Sequence, residues 1–100
     1  MDADYEAIGN EIGLLVTKKQ QSYGDSFGKA GKVLHLLYPN GVQLEDYDDL
    51  LAIVRVLDKI FRIATDRHAF GEDPWQDIAG YALLAVARNK AKQKIMSKVL

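Results

Sequence analysis

Apolar residues recur at intervals of three and four along most of the chain, which is the spacing of amphipathic α-helices. One such stripe lies in residues 3–20 and a second in residues 27–37. The Tyr-Gly-Asp sequence at 23–25 predicts a turn between them, with Ser26 as the cap of the second helix. The Tyr-Pro-Asn-Gly sequence at 38–41 predicts that the second helix ends there.

The strongest pattern lies in residues 46–67, where apolar positions cover about half of the helical circumference. We therefore expect this helix to be central and the most buried. A fourth helix should begin where Asp73 is suited to be the N-cap, Pro74 the first helical residue and Gln76 the partner in a capping box. Since no segment has the alternation of a strand, the pattern predicts an all-α bundle of about four helices.

Composition narrows the class of protein further. One hundred residues, of which 48% are hydrophobic and 27% charged, fit one globular domain over residues 1–100. The absence of cysteine excludes disulfides, thiolate metal sites and cysteine nucleophiles, and it suits the cytoplasm. The acidic N-terminal residues do not resemble a secretory leader, and no apolar run is long enough for a bilayer, so we expect no membrane association.

Charge is nearly balanced overall but is unevenly placed. A net charge of −1 gives no bulk field that would attract nucleic acid, so nucleic acid is not an expected partner. Residues 1–12 hold four acids and no base, whereas residues 78–100 hold five bases and no acid. These ends are either solvated helix ends or antiparallel terminal helices that attract each other; the alternative is a basic tail that contacts phosphate.

Charged residues on the two last helices form the main candidate site. One face of the third helix carries Arg55, Asp58, Lys59 and Arg62, and the fourth helix carries Asp77 and, one turn later, Tyr81. Carboxylates from neighbouring helices can hold Mg²⁺, while Lys and Arg neutralise phosphate oxygens. An interhelical salt-bridge network, such as Asp77 with Arg62, is the alternative interpretation.

Three short blocks of sequence carry a family resemblance. They are Tyr23-Gly24-Asp25-Ser26, then Arg55-x-x-Asp58-Lys59-x-x-Arg62, and then Glu72-Asp73-x-x-x-Asp77-Ile78-Ala79-Gly80-Tyr81. In this order, over about residues 18–87, the chain resembles the first nucleotide-modification-associated domain family, which consists of short helical proteins mainly from bacteriophages and prophages. The resemblance implies a nucleotide-linked phage role in the cytoplasm of a bacterial host, without implying a particular reaction.

A more distant similarity is to the all-α nucleoside triphosphate pyrophosphatases of the MazG type. Those enzymes hold Mg²⁺ between an E-E-x-x-E helix and an E-x-x-D helix. Residues 77–84 look like the second of these helices, but the first is not matched, because the third helix offers Asp58 beside Lys59 and Arg62. The similarity implies a MazG-like bundle, and the mismatch favours a site that grips phosphate over one that cleaves it.

Three functional hypotheses follow. The first is a protein that binds a nucleotide-type small molecule, with phosphate held by Arg55, Lys59 and Arg62 and a base stacked on Tyr23 or Tyr81. The second is an enzyme, a Mg²⁺-dependent nucleotide pyrophosphohydrolase with Asp58, Asp73 and Asp77 as metal ligands. The third is a structural interaction protein with a salt-bridged seam. Under all three we expect a homo-oligomer, because the apolar arcs are wide for four short helices. Across the two last helices, we expect Arg62 to approach Asp77 most closely.

Overall fold

Four α-helices account for most of the chain. The computed structural model describes residues 3–99, in which α1 is Tyr5–Tyr23, α2 is Ser26–Leu37, α3 is Tyr47–Asp66 and α4 is Pro74–Val99. Short 3₁₀ turns, Leu44–Asp46 and Ala69–Gly71, precede α3 and α4. With no strand in this range, the predicted all-α class is confirmed. Across residues 3–99, none of the helices has both the length and the apolarity to cross a bilayer.

Aspartates cap three of the four helices. Asp4 caps α1 by accepting the N–H of Ala7 at 3.1 Å, and Asp73 accepts the N–H of Trp75 at 3.0 Å, as the predicted start of α4 requires. The predicted Ser26 cap is wrong, because Asp25 accepts the N–H of Gly28 at 3.1 Å and Ser26 is the first residue of α2.

The third helix is the centre of the fold, as its apolar pattern predicts. It packs against α1, α2 and α4, and α4 runs antiparallel to it. Leu57 on α3, which is 9% exposed, and Pro74 at the start of α4 are the buried apolar side chains in the described residues. By contrast, α1 does not pack along α4, so a single chain does not bring its acidic and basic terminal helices together.

The chain is elongated for its size. Its radius of gyration is 18.2 Å, whereas a compact domain of 100 residues has a radius of about 13 Å. Helix α1 explains much of this shape, because every residue from 3 to 21 is exposed. One chain alone therefore covers little of its apolar surface.

Candidate functional site at the seam of α3 and α4

A row of oppositely charged side chains lines the seam between α3 and α4. From the start of α3 to its end, the pairs are Lys92 with Asp48 (3.4 Å), Arg88 with Asp49 (2.6 Å), Lys59 with Asp77 (3.1 Å) and Arg62 with Glu72 (2.7 Å). Because the helices are antiparallel, residues early in α3 meet residues late in α4. The order of the pairs along the chain thus follows the antiparallel register of the two helices.

Arg62 is the most enclosed charged residue of this seam. Its side chain is 0% exposed, and its guanidinium donates to the Glu72 carboxylate at 2.7 Å and to the carbonyls of Ala69 and Glu72 at 3.2 and 3.3 Å. The guanidinium also lies over the Tyr23 ring, 5.5 Å from its centroid. Arg62 therefore fastens the α3–α4 loop from inside.

The charge of Arg62 is retained in this enclosed position. Burial by itself lowers the pKa of the guanidinium, but the hydrogen bond to Glu72 and the nearby Tyr23 outweigh it, so the pKa is raised above its usual value. The prediction that Arg62 lies closest to Asp77 is wrong, because the ammonium of Lys59 takes that place. The spacing of residues along the sequence indicated Asp77 as the partner of Arg62. The α3–α4 loop instead places the Glu72 carboxylate beside the guanidinium.

Lys59 lies one turn before Arg62 and joins two acids. Its Nζ is 3.1 Å from Asp77 and 3.9 Å from Glu72, and its side chain is 15% exposed. A ligand phosphate at Lys59 would have to compete with both carboxylates. The seam here has the form of the interhelical salt-bridge network that was the alternative interpretation of these residues.

A groove with a different character lies further along the seam. The Arg55 guanidinium is 5.8 Å from the centroid of the Tyr81 ring. Both line a groove of about 270 Å³, here called the arginine groove, whose other lining residues are Asp48, Leu51, Ala52, Leu84, Ala85 and Arg88. Arg55 makes no salt bridge in the described part of the chain, so among the predicted phosphate-binding residues it is the one whose cation is not already paired.

The two tyrosines predicted to stack on a base lie at separate places. Tyr81 lines the arginine groove, whereas Tyr23 contacts Arg62 and packs edge-on against Phe70, with ring centroids 6.2 Å apart. Tyr23 is held there by the α1–α2 turn, in which Gly24 and Asp25 both have left-handed backbones.

Hydrogen bonds from Gln20 and from the N–H of Gly28 lower the pKa of Asp25 below its usual range, which favours the carboxylate that caps α2.

The three predicted magnesium ligands belong to three different interactions. Asp58 accepts a hydrogen bond from the buried hydroxyl of Ser26 at 2.8 Å, Asp73 caps α4, and Asp77 pairs with Lys59. Within residues 3–99, no three acidic or histidine side chains are grouped so that they could hold a metal ion. A magnesium site at these residues remains a prediction.

Arg88 is a groove residue that the sequence reasoning missed. The sequence places it among the bases of residues 78–100, but it also lies on α4 seven positions after Tyr81, which places both side chains on one helical face.

No family model matches the chain, and no curated protein or solved structure matches it. The resemblance to the nucleotide-modification-associated domain family therefore remains a prediction based on the three sequence blocks.

Proposed function

We propose that this protein binds a phosphorylated nucleotide in the arginine groove, as a binding module rather than as a hydrolase. The observation that carries the proposal is the placement of Arg55 over Tyr81 in one groove, with Arg88 in the same wall. Small-molecule sites have volumes of about 300–1,000 Å³. At about 270 Å³ the groove lies just below this range, so it suits a mononucleotide better than a longer ligand.

The residues of the groove supply the two kinds of contact that a nucleotide needs. The planar guanidinium of Arg55 can donate two parallel hydrogen bonds to a phosphate group. The Tyr81 ring offers a face for a base, and stacking of a base on an aromatic side chain contributes about 1–3 kcal/mol. Arg88 can add a second cation, although a phosphate would compete for it with Asp49.

The other predicted ligand residues support this groove without lining it. Arg62 and Lys59 hold α3, α4 and their loop in register, and α4 carries Tyr81. The proposal thus assigns ligand contact to Arg55, Tyr81 and Arg88, and a positioning role to Lys59 and Arg62. It keeps the nucleotide chemistry suggested by the family resemblance, and with it a role in the cytoplasm of a phage-infected bacterium as a homo-oligomer.

The test is calorimetric titration with nucleoside mono-, di- and triphosphates. Arg55→Ala should weaken the affinity about 10–100-fold, because hydrogen bonds to charged groups contribute about 1.5–3 kcal/mol. Arg67→Ala is the matched control, since Arg67 is an exposed arginine just after α3 and outside the groove. Tyr81→Phe should keep most of the affinity and Tyr81→Ala should lose it. Equal affinities of the Arg55 and Arg67 variants would refute the assignment.

The same titrations with Mg²⁺ separate binding from hydrolysis. A nucleotide recovered unchanged after prolonged incubation is expected. Release of pyrophosphate that needs Mg²⁺ and is lost in Asp77→Asn would instead establish the MazG-type pyrophosphohydrolase. The Lys59–Asp77 pair complicates this variant, so Lys59→Met should be measured beside it.

A second candidate function is that of a purely structural interaction protein. It is favoured by the seam, where four pairs of charges are satisfied within one chain. If no nucleotide raises the melting temperature or gives a heat of binding, this candidate takes precedence. Association of the chain with a second copy of itself would then be the main property of the protein.

A further inference from the structure

Every residue in the first three turns of α1 is exposed. These turns, residues 5–16, are here called the α1 arm. Their apolar side chains are largely exposed, from 46% for Ile8 to 81% for Tyr5, with Ile12, Leu14, Leu15 and Val16 between these values. The close contact of α1 with α3 occurs at the other end of the helix, where Gly24 lies against Thr65.

An apolar groove adjoins the arginine groove along the α3–α4 seam, and Ala52, Tyr81 and Ala85 line both. Its volume is about 600 Å³, and it is lined mainly by Leu37, Ile53, Val56, Ile60, Ile78 and Ala82. No residue of α1 lines it, and Ile60 at one end is 47% exposed. This apolar groove and the α1 arm are thus two apolar surfaces that the chain leaves open at the same time.

The exposed area indicates how much surface a partner would have to cover. The chain exposes 8134 Å², whereas a compact monomer of this size exposes about 5,700 Å². If a dimer covered the difference on both copies, its interface would bury roughly 5,000 Å², at the upper end of the range of about 2,000–5,000 Å² for obligate homodimers. The excess is therefore of the size that one further copy can cover.

We propose that the chain forms a twofold homodimer in which the α1 arm of each copy lies in the apolar groove of the other. The lengths agree, because the arm from Tyr5 to Leu15 and the groove from Asp49 to Ile60 each span about 15–17 Å at the rise of an α-helix. A twofold axis makes the exchange reciprocal, so both arms and both grooves are covered. This proposal does not depend on nucleotide binding.

Charge favours one direction of the arm. The arm follows Asp4, carries Glu6 near its start and Glu11 in its middle, and has no base, while the last part of α4 carries Lys90, Lys92, Lys94 and Lys98 and no acid. The arm therefore runs antiparallel to α4 of the other copy, with Leu15 near Ile60 and its acidic start level with the Asp49–Arg88 pair, just before Lys90. The attraction that α1 and α4 lack within one chain is then made between two chains.

Cross-linking tests this arrangement in the native sequence background, which contains no cysteine. Leu15→Cys and Ile60→Cys are prepared as separate proteins, mixed so that subunits exchange, and then oxidised. A disulfide-linked heterodimer is expected from this mixture, because one bond can form only between two chains. The register control is Tyr5→Cys mixed with Ile60→Cys, which should give little product because Tyr5 lies about 15 Å further along the arm.

Two measurements complete the test. Sedimentation at micromolar concentration should give the mass of a dimer for the native chain and of a monomer for Ile12→Glu and Val56→Glu. Phe27→Glu, which replaces a 94% exposed aromatic residue outside both surfaces, should stay dimeric. A monomeric native chain refutes the proposal. A dimer in which the Leu15→Cys chain forms a disulfide only with another Leu15→Cys chain also refutes it. So does the finding that a different protein, and not a second copy, occupies the apolar groove.

Discussion

Arg62 and Arg55 are two arginines on one helix with opposite environments. Arg62 is fully enclosed and satisfies loop carbonyls, whereas Arg55 is exposed beside an aromatic ring. Removal of a buried partner leaves polar groups without hydrogen bonds, which costs more than removal of an exposed charge. Their mutational effects should therefore fall on different properties, with stability depending on Arg62 and ligand affinity on Arg55.

Arg62→Met should lower the free energy of unfolding by about 2–3 kcal/mol, because the carbonyls of Ala69 and Glu72 lose a charged donor. Lys59→Met is the matched control and should cost about 1 kcal/mol or less, since its acidic partners can be solvated. Urea denaturation at one protein concentration measures both. Equal losses for the two variants would show that enclosure of Arg62 adds nothing to the stability.

At the scale of single helices, the α1–α2 turn decides where α1 can go. Gly24 has a φ of 61°, and a β-carbon at this position would collide with the hydroxyl of Thr65. Glycine adopts this backbone without strain, and its lack of a β-carbon allows α3 to come so close. The turn therefore holds the end of α1 against α3 while its beginning extends away from the chain.

Gly24→Ala should lower the free energy of unfolding by about 1–3 kcal/mol, because the left-handed backbone alone costs alanine about 1–2 kcal/mol. Gly31→Ala is the control inside α2, where a β-carbon meets no atom within 4 Å. It should raise the stability by about 0.5–1 kcal/mol, since alanine favours a helix over glycine. Thermal or urea unfolding followed by circular dichroism checks both. If the free energy of unfolding changed in the same direction for the two variants, this account would be contradicted.

At the scale of the whole molecule, stability should depend on protein concentration. A chain whose described residues include only two buried apolar side chains, Leu57 and Pro74, has little core of its own, so folding and association are expected to be coupled. A hundred-fold increase in concentration should raise the melting temperature by about 5–10 °C. Ile12→Glu should abolish this dependence and melt at a lower temperature. A melting temperature that is the same at all concentrations for the native chain would refute coupled folding.

The sequence by itself determined the helices of this protein, because their signals are local. Periodic apolar residues, Asp73 before Pro74, and the Gly24-Asp25 turn all act within a few positions of the chain, and the four helices lie close to their predicted limits. The central place of α3 was predictable for the same reason, since the width of an apolar face is a property of one helix.

Only the tertiary structure decided which charged residues meet. Arg62 pairs with Glu72 instead of Asp77, because the α3–α4 loop folds back and places its carbonyls and its carboxylate around the guanidinium. Arg55 and Tyr81 share a groove because the antiparallel register of α3 and α4 aligns them. Helical spacing specifies the face on which a residue lies, but the partner across an interface depends on how far each helix slides, and that depends on the packing of the whole chain.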